Sequence, residues 1–256
     1  MRDCLFCSTH LNRSNRSREH VIPKWLVSRF EVNRCFGTHW TYPNEPIVIL
    51  DEREHAALSL VLGNVCQGCN TGWMAQLEEG TRPLMEALWD GRSPTVLTFE
   101  KCNTIAKWTF KTAATLNYSV DYKRIIPLEH IRHFHTTGRL PENATVDLAL
   151  CRRVGINWIL GGNKRFVVIS KKITESQKRA TYVISLQFDH LLLKLSWVPV
   201  DGVKAVAAPS NAVYRICPQD NTVQVIRRRI FRDHAHFHFI GTILAEEGIY
   251  PSDLDF

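Results

Sequence analysis

Apolar positions along this chain change their period. Between residues 100 and 118 they recur at helical spacing. Ile105, Trp108, Thr112 and Leu116 share one face of an expected amphipathic helix, with Lys107 and Lys111 elsewhere on the cylinder. Upstream, Trp73, Leu77, Leu84, Met85 and Leu88 also fit helices, and Gly80 and Pro83 predict a break among them. Gly91-Arg92-Ser93-Pro94 reads as a linker, and residues 127–136, opening on a helix-compatible Pro127, read as a further helix. From about residue 145 the period falls to two. Val146, Leu148 and Leu150 alternate with Asp147, Ala149 and Cys151. Tyr182, Ile184, Leu186 and Phe188 share a face, and so do Leu191, Leu193, Leu195 and Trp197 beyond Asp189-His190. These two runs predict a hairpin, although Asp-His is not a favoured type I′ turn and leaves room for a longer loop. Runs at 164–170, 211–216 and 222–231 add candidate strands. The C-terminal part is therefore expected to be an antiparallel sheet with flanking helices.

The chain has 256 residues, 45% of them hydrophobic and 22% charged, which suits a packed core and not a disordered chain. Its apolar runs are far shorter than the roughly 18–20 residues of a membrane helix. The N-terminal MRDCLFCSTHLNRS lacks the apolar stretch of a signal peptide. A cytoplasmic protein with no membrane partner is the expectation. The net charge of +7 is unevenly placed: residues 1–80 hold 8 Lys+Arg against 9 Asp+Glu, so the excess lies beyond them. Arg227, Arg228 and Arg229 form the densest cluster and are candidate contacts to a polyanion; a plain charged surface is the alternative.

Four of the eight cysteines form two pairs, Cys4/Cys7 and Cys66/Cys69, each with a two-residue gap. That gap lets two thiolates converge on one cation, and two such knuckles complete a closed tetrahedral zinc site. A redox dithiol or ordinary core cysteines are the alternatives, but redox motifs rarely come as two pairs. Between the knuckles lies Arg18-Glu19-His20-Val21-Ile22-Pro23, read as a short strand that ends abruptly at the proline. Asn70 follows the last knuckle cysteine, near the start of an expected helix that it could cap. His234, His236 and His238 alternate in DHAHFHF and read as a solvated strand face. Trp25, Trp40 and Trp73 read as core residues.

In this order of motifs the chain resembles the HNH endonucleases, the ββα-metal or treble-clef nucleases, in their zinc-stapled form. The matching residues are Cys4 and Cys7, Glu19-His20-Val21-Ile22-Pro23, Asn64, and Cys66, Cys69 and Asn70. The Cys-Asn ending is similar to the phage Holliday-junction resolvase branch. The resemblance covers residues 1 to about 80 and implies an α+β protein. Its N-terminal ββα-metal module, residues 1–80, would carry an insertion at about 26–62, and an α+β domain would follow at 81–256.

The resemblance further implies structural zinc on Cys4, Cys7, Cys66 and Cys69, and His20 as general base. Glu19 and Asn70 would be ligands of a catalytic Mg²⁺ or Mn²⁺, with Asn64 steadying the loop that carries the histidine. The family's acid is more often Asp or His, so Glu19 is a departure. Arg18 and Lys24 flank the motif as candidate nucleic-acid contacts. The implied activity is phosphodiester hydrolysis, in DNA first, in restriction, phage defence or mobile-element biology. A non-catalytic zinc-finger module and an RNA-directed nuclease are the alternatives. Glu19 paired with Arg18 at the surface, and Asn64 as a turn residue, are the plainer roles for those side chains.

Overall fold

A computed structural model of the chain describes residues 3–41, 48–90, 95–121, 124–162, 167–169, 173–206, 212–218, 221–225, 231–240 and 243–246. The elements run β1 (Arg16–His20), α1 (Lys24–Phe30), β2 (Arg34–Thr41), β3 (Val48–Ala56), β4 (Val61–Cys66), α2 (Gln67–Cys69), an irregular turn (Asn70–Met74) and α3 (Ala75–Asp90). Then come β5 (Thr95–Leu97), α4 (Phe99–Ser119), α5 (Leu128–Thr137), β6 (Ala144–Leu150), β7 (Ile156–Gly162), β8 (Val167–Ile169) and α6 (Glu175–Ala180). The chain continues with β9 (Tyr182–Phe188), β10 (Leu191–Trp197), β11 (Val203–Val206), β12 (Val213–Cys217), β13 (Val223–Val225), α7 (His234–Ile240) and β14 (Ile243–Glu246). The fold is mixed α/β, with a mostly antiparallel sheet and several helices.

The main sheet has seven strands in the order β12-β6-β10-β9-β7-β2-β3. All its neighbours are antiparallel except β2 and β7, where Phe36 lies opposite Asn157 and Trp40 opposite Gly161. The expected hairpin is present with a two-residue turn, because Asp189 takes a left-handed φ of 58° and Phe188 pairs directly with Leu191. Gln187 Nε2 donates to the Asp189 carbonyl at 2.9 Å and steadies that turn. The segment 26–62, expected to be an insertion, supplies β2 and β3 to this sheet. One continuous buried cluster reaches from Cys4 to Val225.

The sheet is covered on both faces. Leu148, Ile184, Leu186, Leu193 and Trp158 belong to the main core with Trp108 and Phe110 of α4. Each such buried side chain contributes on the order of 1.5–3 kcal/mol. On the opposite face the alternate positions are polar yet buried: Asp147, Ser185, Gln187, Lys194 and Ser196. They are tolerated because most are bonded. Asp147 pairs with Arg215, Ser185 Oγ lies 2.8 Å from His238 Nδ1, and Gln187 Nε2 donates to the Arg153 carbonyl at 2.7 Å.

Three expectations are corrected. α4 has no polar face at Lys111, which is fully buried among residues 105–118, while Lys107 is partly exposed. Pro83 does not break the helix; it sits inside α3, which is anchored by buried Thr81, Met85 and Leu88. The histidine tract is a helix, α7, because Asp233 caps it: His236 N–H donates to Asp233 Oδ1 at 3.0 Å. The 91–94 linker lies outside the described residues.

Candidate functional site

The site is built on two knuckles and a hairpin. In the first knuckle Cys4 N–H donates to the Thr9 carbonyl at 2.8 Å and Ser8 N–H donates to the Cys4 carbonyl at 3.1 Å, with Ser8 at a left-handed φ of 62°. β1 and β4 pair antiparallel, so Arg16 faces Cys66 and His20 faces Val61. The pairing places the second knuckle at the exit of β4. The first knuckle docks onto the same strand: Leu5 N–H donates to the Asn64 carbonyl at 2.8 Å, and Cys66 N–H to Cys4 Sγ at 3.3 Å. Asn64 thus holds the first knuckle through its main chain.

The four sulfurs of Cys4, Cys7, Cys66 and Cys69 lie within 4.8 Å of one another. Cys4 and Cys69 are 3.9 Å apart and Cys7 and Cys66 3.5 Å. A tetrahedron with metal–sulfur arms of about 2.3 Å has edges of roughly 3.8 Å, so the cluster can hold a metal such as zinc. The contact with Cys69 pulls the Cys4 thiol down to about 4 and pushes Cys69 up. Cys66 Sγ also accepts from Cys69 N–H at 3.3 Å, the cap of α2, so Cys66 and not Asn70 takes that role. Around the cluster, His135 Nε2 lies 3.8 Å from Cys69 Sγ, and Phe6 packs edge-on to Trp73 at 5.2 Å.

Asn70 turns back to the hairpin. Its Nδ2 donates to Ser17 Oγ at 2.6 Å and to the Arg18 carbonyl at 3.3 Å. The residue is thereby brought onto the strand that ends in His20. His20 is half-buried, on the same face of β1 as exposed Arg16 and Arg18. The strand stops there because Val21 and Ile22 enter the core and Pro23 starts α1. Lys24 is exposed on the first turn of that helix.

Glu19 points the other way. It is buried, and Lys111 Nζ donates to its Oε1 at 2.7 Å and to Glu78 Oε1 at 2.6 Å. Burial alone would lower the Lys111 pKa, but the two carboxylates raise it above the ordinary lysine value. The plainer pairing of Glu19 with Arg18 does not occur, and Glu19 makes no hydrogen bond to Asn70 among the described residues. Sequence reasoning missed Lys111. The signal was a lone long cation in a run of small and apolar residues, Thr109 to Leu116, that leaves no polar face.

A cleft of about 530 Å³ opens beside the hairpin, lined by Arg13, Arg16, Ser17, Arg18, Val61 and Gly63. A larger cavity, about 680 Å³, lies between the start of α4 and residues 137–144, and no sequence-predicted site residue lines it. Arg227, Arg228 and Arg229 fall outside the described residues, as does the side chain of Trp40. Trp25 and Trp73 do pack against the core. Among the described residues the Cys4 cluster is the one group of three or more metal-capable side chains, so the DHAHFHF histidines do not form another.

Comparison with known protein families, with curated proteins and with solved structures gives no significant match.

Proposed function

We propose that this chain is a zinc-stapled HNH-type endonuclease that hydrolyses phosphodiester bonds, in DNA first, with His20 as general base. One observation carries this reading. Four cysteines set to hold zinc fasten a two-stranded hairpin to the helical segment behind it, and that geometry lays Asn70 on the strand ending in His20. A zinc staple on a binding finger needs neither residue. The closed sulfur cluster has no open position and serves as structure.

Half-buried at a strand end, His20 is fixed by the hairpin backbone and by the burial of Val21 and Ile22 behind it. The imidazole there takes the proton of an attacking water. The Asn70 amide donates through Nδ2, which leaves Oδ1 to face a cation or a phosphate-bound water. A bound Mg²⁺ or Mn²⁺ would neutralise charge on the phosphoryl and leaving oxygens. Of its two expected ligands Asn70 fits, whereas Glu19 Oε1 is engaged by Lys111. Arg18 and Lys24 flank His20 and supply positive charge for the phosphate backbone.

That engagement favours a second reading, a nucleic-acid-binding module without catalysis, in which the Lys111 ammonium takes the electrostatic place of a cation. Plasmid nicking with Mg²⁺ or Mn²⁺ separates the two. Zinc-loaded wild type should nick, and His20→Ala should be slower by about 10²-fold or more. Wild type and variant equally inert on duplex DNA, branched DNA and RNA would reject the catalytic reading.

A further inference from the structure

The 530 Å³ cleft beside β1 is walled by three arginines, Arg13, Arg16 and Arg18, and no carboxylate lines it. The backbone beneath it is tied down by hydrogen bonds. Arg13 sits on a turn folded around Asn12, whose Oδ1 accepts from Ser14 N–H at 2.9 Å, Ser14 Oγ at 2.6 Å and Asn15 N–H at 3.1 Å. Asn15 Oδ1 returns a bond from Asn12 N–H at 2.9 Å, and the Asn15 carbonyl accepts from Gln67 N–H at 2.7 Å. The turn is therefore tied to the second knuckle. Arg16 crosses the hairpin, and its Nε donates to the Gly63 carbonyl at 2.6 Å. A Cβ on Gly63 would stand 3.0 Å from Arg16 Nη2, so the guanidinium packs closely over the bare glycine.

The hairpin also bends at this cleft. Gly63 and Asn64 together oppose the single residue Arg18, a bulge on β4 that bends the strand at the cleft. Arg16, Arg18 and His20 are alternate residues of one strand, about 6.6 Å apart along it, and so present to the same side. Arg13 and Arg18 have no acidic partner among the described residues. The buried cations among the described residues differ: Lys111 is paired with two carboxylates, and Lys194 feels the charge of Asp147.

We propose that this cleft is a binding site for the sugar-phosphate backbone of a nucleic acid, with Arg13, Arg16 and Arg18 each engaging phosphate. Guanidinium forks match phosphate oxygens bidentately, and the row leads a strand toward His20. The site deepens the nucleic-acid part of the proposed function and does not depend on catalysis.

The test is fluorescence anisotropy of the zinc-loaded full chain with a short labelled DNA duplex and its single strand, across a salt series. Wild type should bind both with a salt-dependent affinity. Arg13→Gln/Arg16→Gln/Arg18→Gln should weaken binding at least tenfold and flatten the log–log salt slope by about 2–3, nearly one for each phosphate no longer neutralised. Lys101→Gln, an exposed change at the start of α4 and outside the cleft lining, should leave the slope unchanged.

Arg18→Gln alone removes one guanidinium and should flatten the slope by about 1. It also covers the case in which the triple variant fails to fold, as judged by zinc content and thermal melting. An unaltered slope in a folded triple variant or in Arg18→Gln, or no salt-sensitive binding by wild type, would overturn the proposal. Wild type that binds through these arginines yet never nicks DNA would leave it standing while the catalytic reading falls. Wild type that nicks while the folded triple variant keeps its slope gives the reverse.

Discussion

Lys111 Nζ lies 2.7 Å from Glu19 Oε1, with the ammonium fully buried and the carboxylate nearly so. This one bond joins α4 to the residue directly before His20, and Glu78 adds α3 to the same ammonium. The buried ammonium is held by these two carboxylates. Removing one partner strands the others, at a cost of about 3–5 kcal/mol for a buried pair. Glu78 is partly exposed and should relax, so Glu19 carries most of the penalty. Lys111→Met should therefore lower the urea midpoint strongly. Lys111→Met/Glu19→Gln should recover much of the loss, since the double variant leaves no stranded carboxylate on β1. Equal losses in the single and double variants would show that the pair is not coupled.

Zinc should be present at about one ion per chain by elemental analysis, and Cys66→Ser should lose it. Chelation should lower the melting temperature of wild type but not of Cys66→Ser, because ligation energy is folding energy here. Full zinc occupancy in the serine variant would remove the staple.

Asn70→Ala deletes two hydrogen bonds to β1, each with a net contribution of about 0.5–1.5 kcal/mol, so a modest fall in stability is expected. If the residue also serves the reaction, nicking should fall much further than Ser17→Ala makes it fall. Ser17→Ala removes the shorter of the two bonds but leaves the Asn70 amide. Matching activity in the two variants would assign Asn70 a structural role only.

Acid should weaken the C-terminal side of the sheet. His234 is pulled down to about 4 by burial, and burial holds His238 well below its usual range. The unfolded chain then binds more protons than the folded one between pH about 4 and about 6.5. Stability is fully present above the upper value and is lost as pH falls through this window. His234→Gln should keep more of its pH 7 melting temperature at pH 5 than wild type does. A parallel decline in both would reject the role of that imidazole.

The hairpin of β9 and β10 was legible because every second residue is large and apolar and the two runs flank only two residues. The sulfur cluster was legible because two knuckles have one sensible use. Lys111 was not, since helical period marks which residues face a partner and α4 has partners around its whole circumference. The histidine tract shows the opposite failure: alternation suggested a strand, while the capping aspartate at 233 was the stronger local signal. For Glu19, adjacency to His20 suggested shared chemistry, but neighbours on a strand point to opposite faces. Arg13 and Arg16 were hidden in a segment whose charges nearly cancel, and only folding gathers them on one side.

The parallel pairing of β2 with β7 joins residues more than a hundred positions apart in the chain. Along the chain β1 leads to β4 by way of α1, β2 and β3, so the paired strands bearing His20 run on into the seven-stranded sheet from the end at which His20 faces Val61. A fragment stopping near residue 80 would leave β2 with a bare edge, open to pairing with other chains. The motif-bearing segment is thus local in sequence but not self-sufficient. The pairing that covers β2 must wait for synthesis of the strand at 156–162, and long-range pairing of this kind is a slow step in folding.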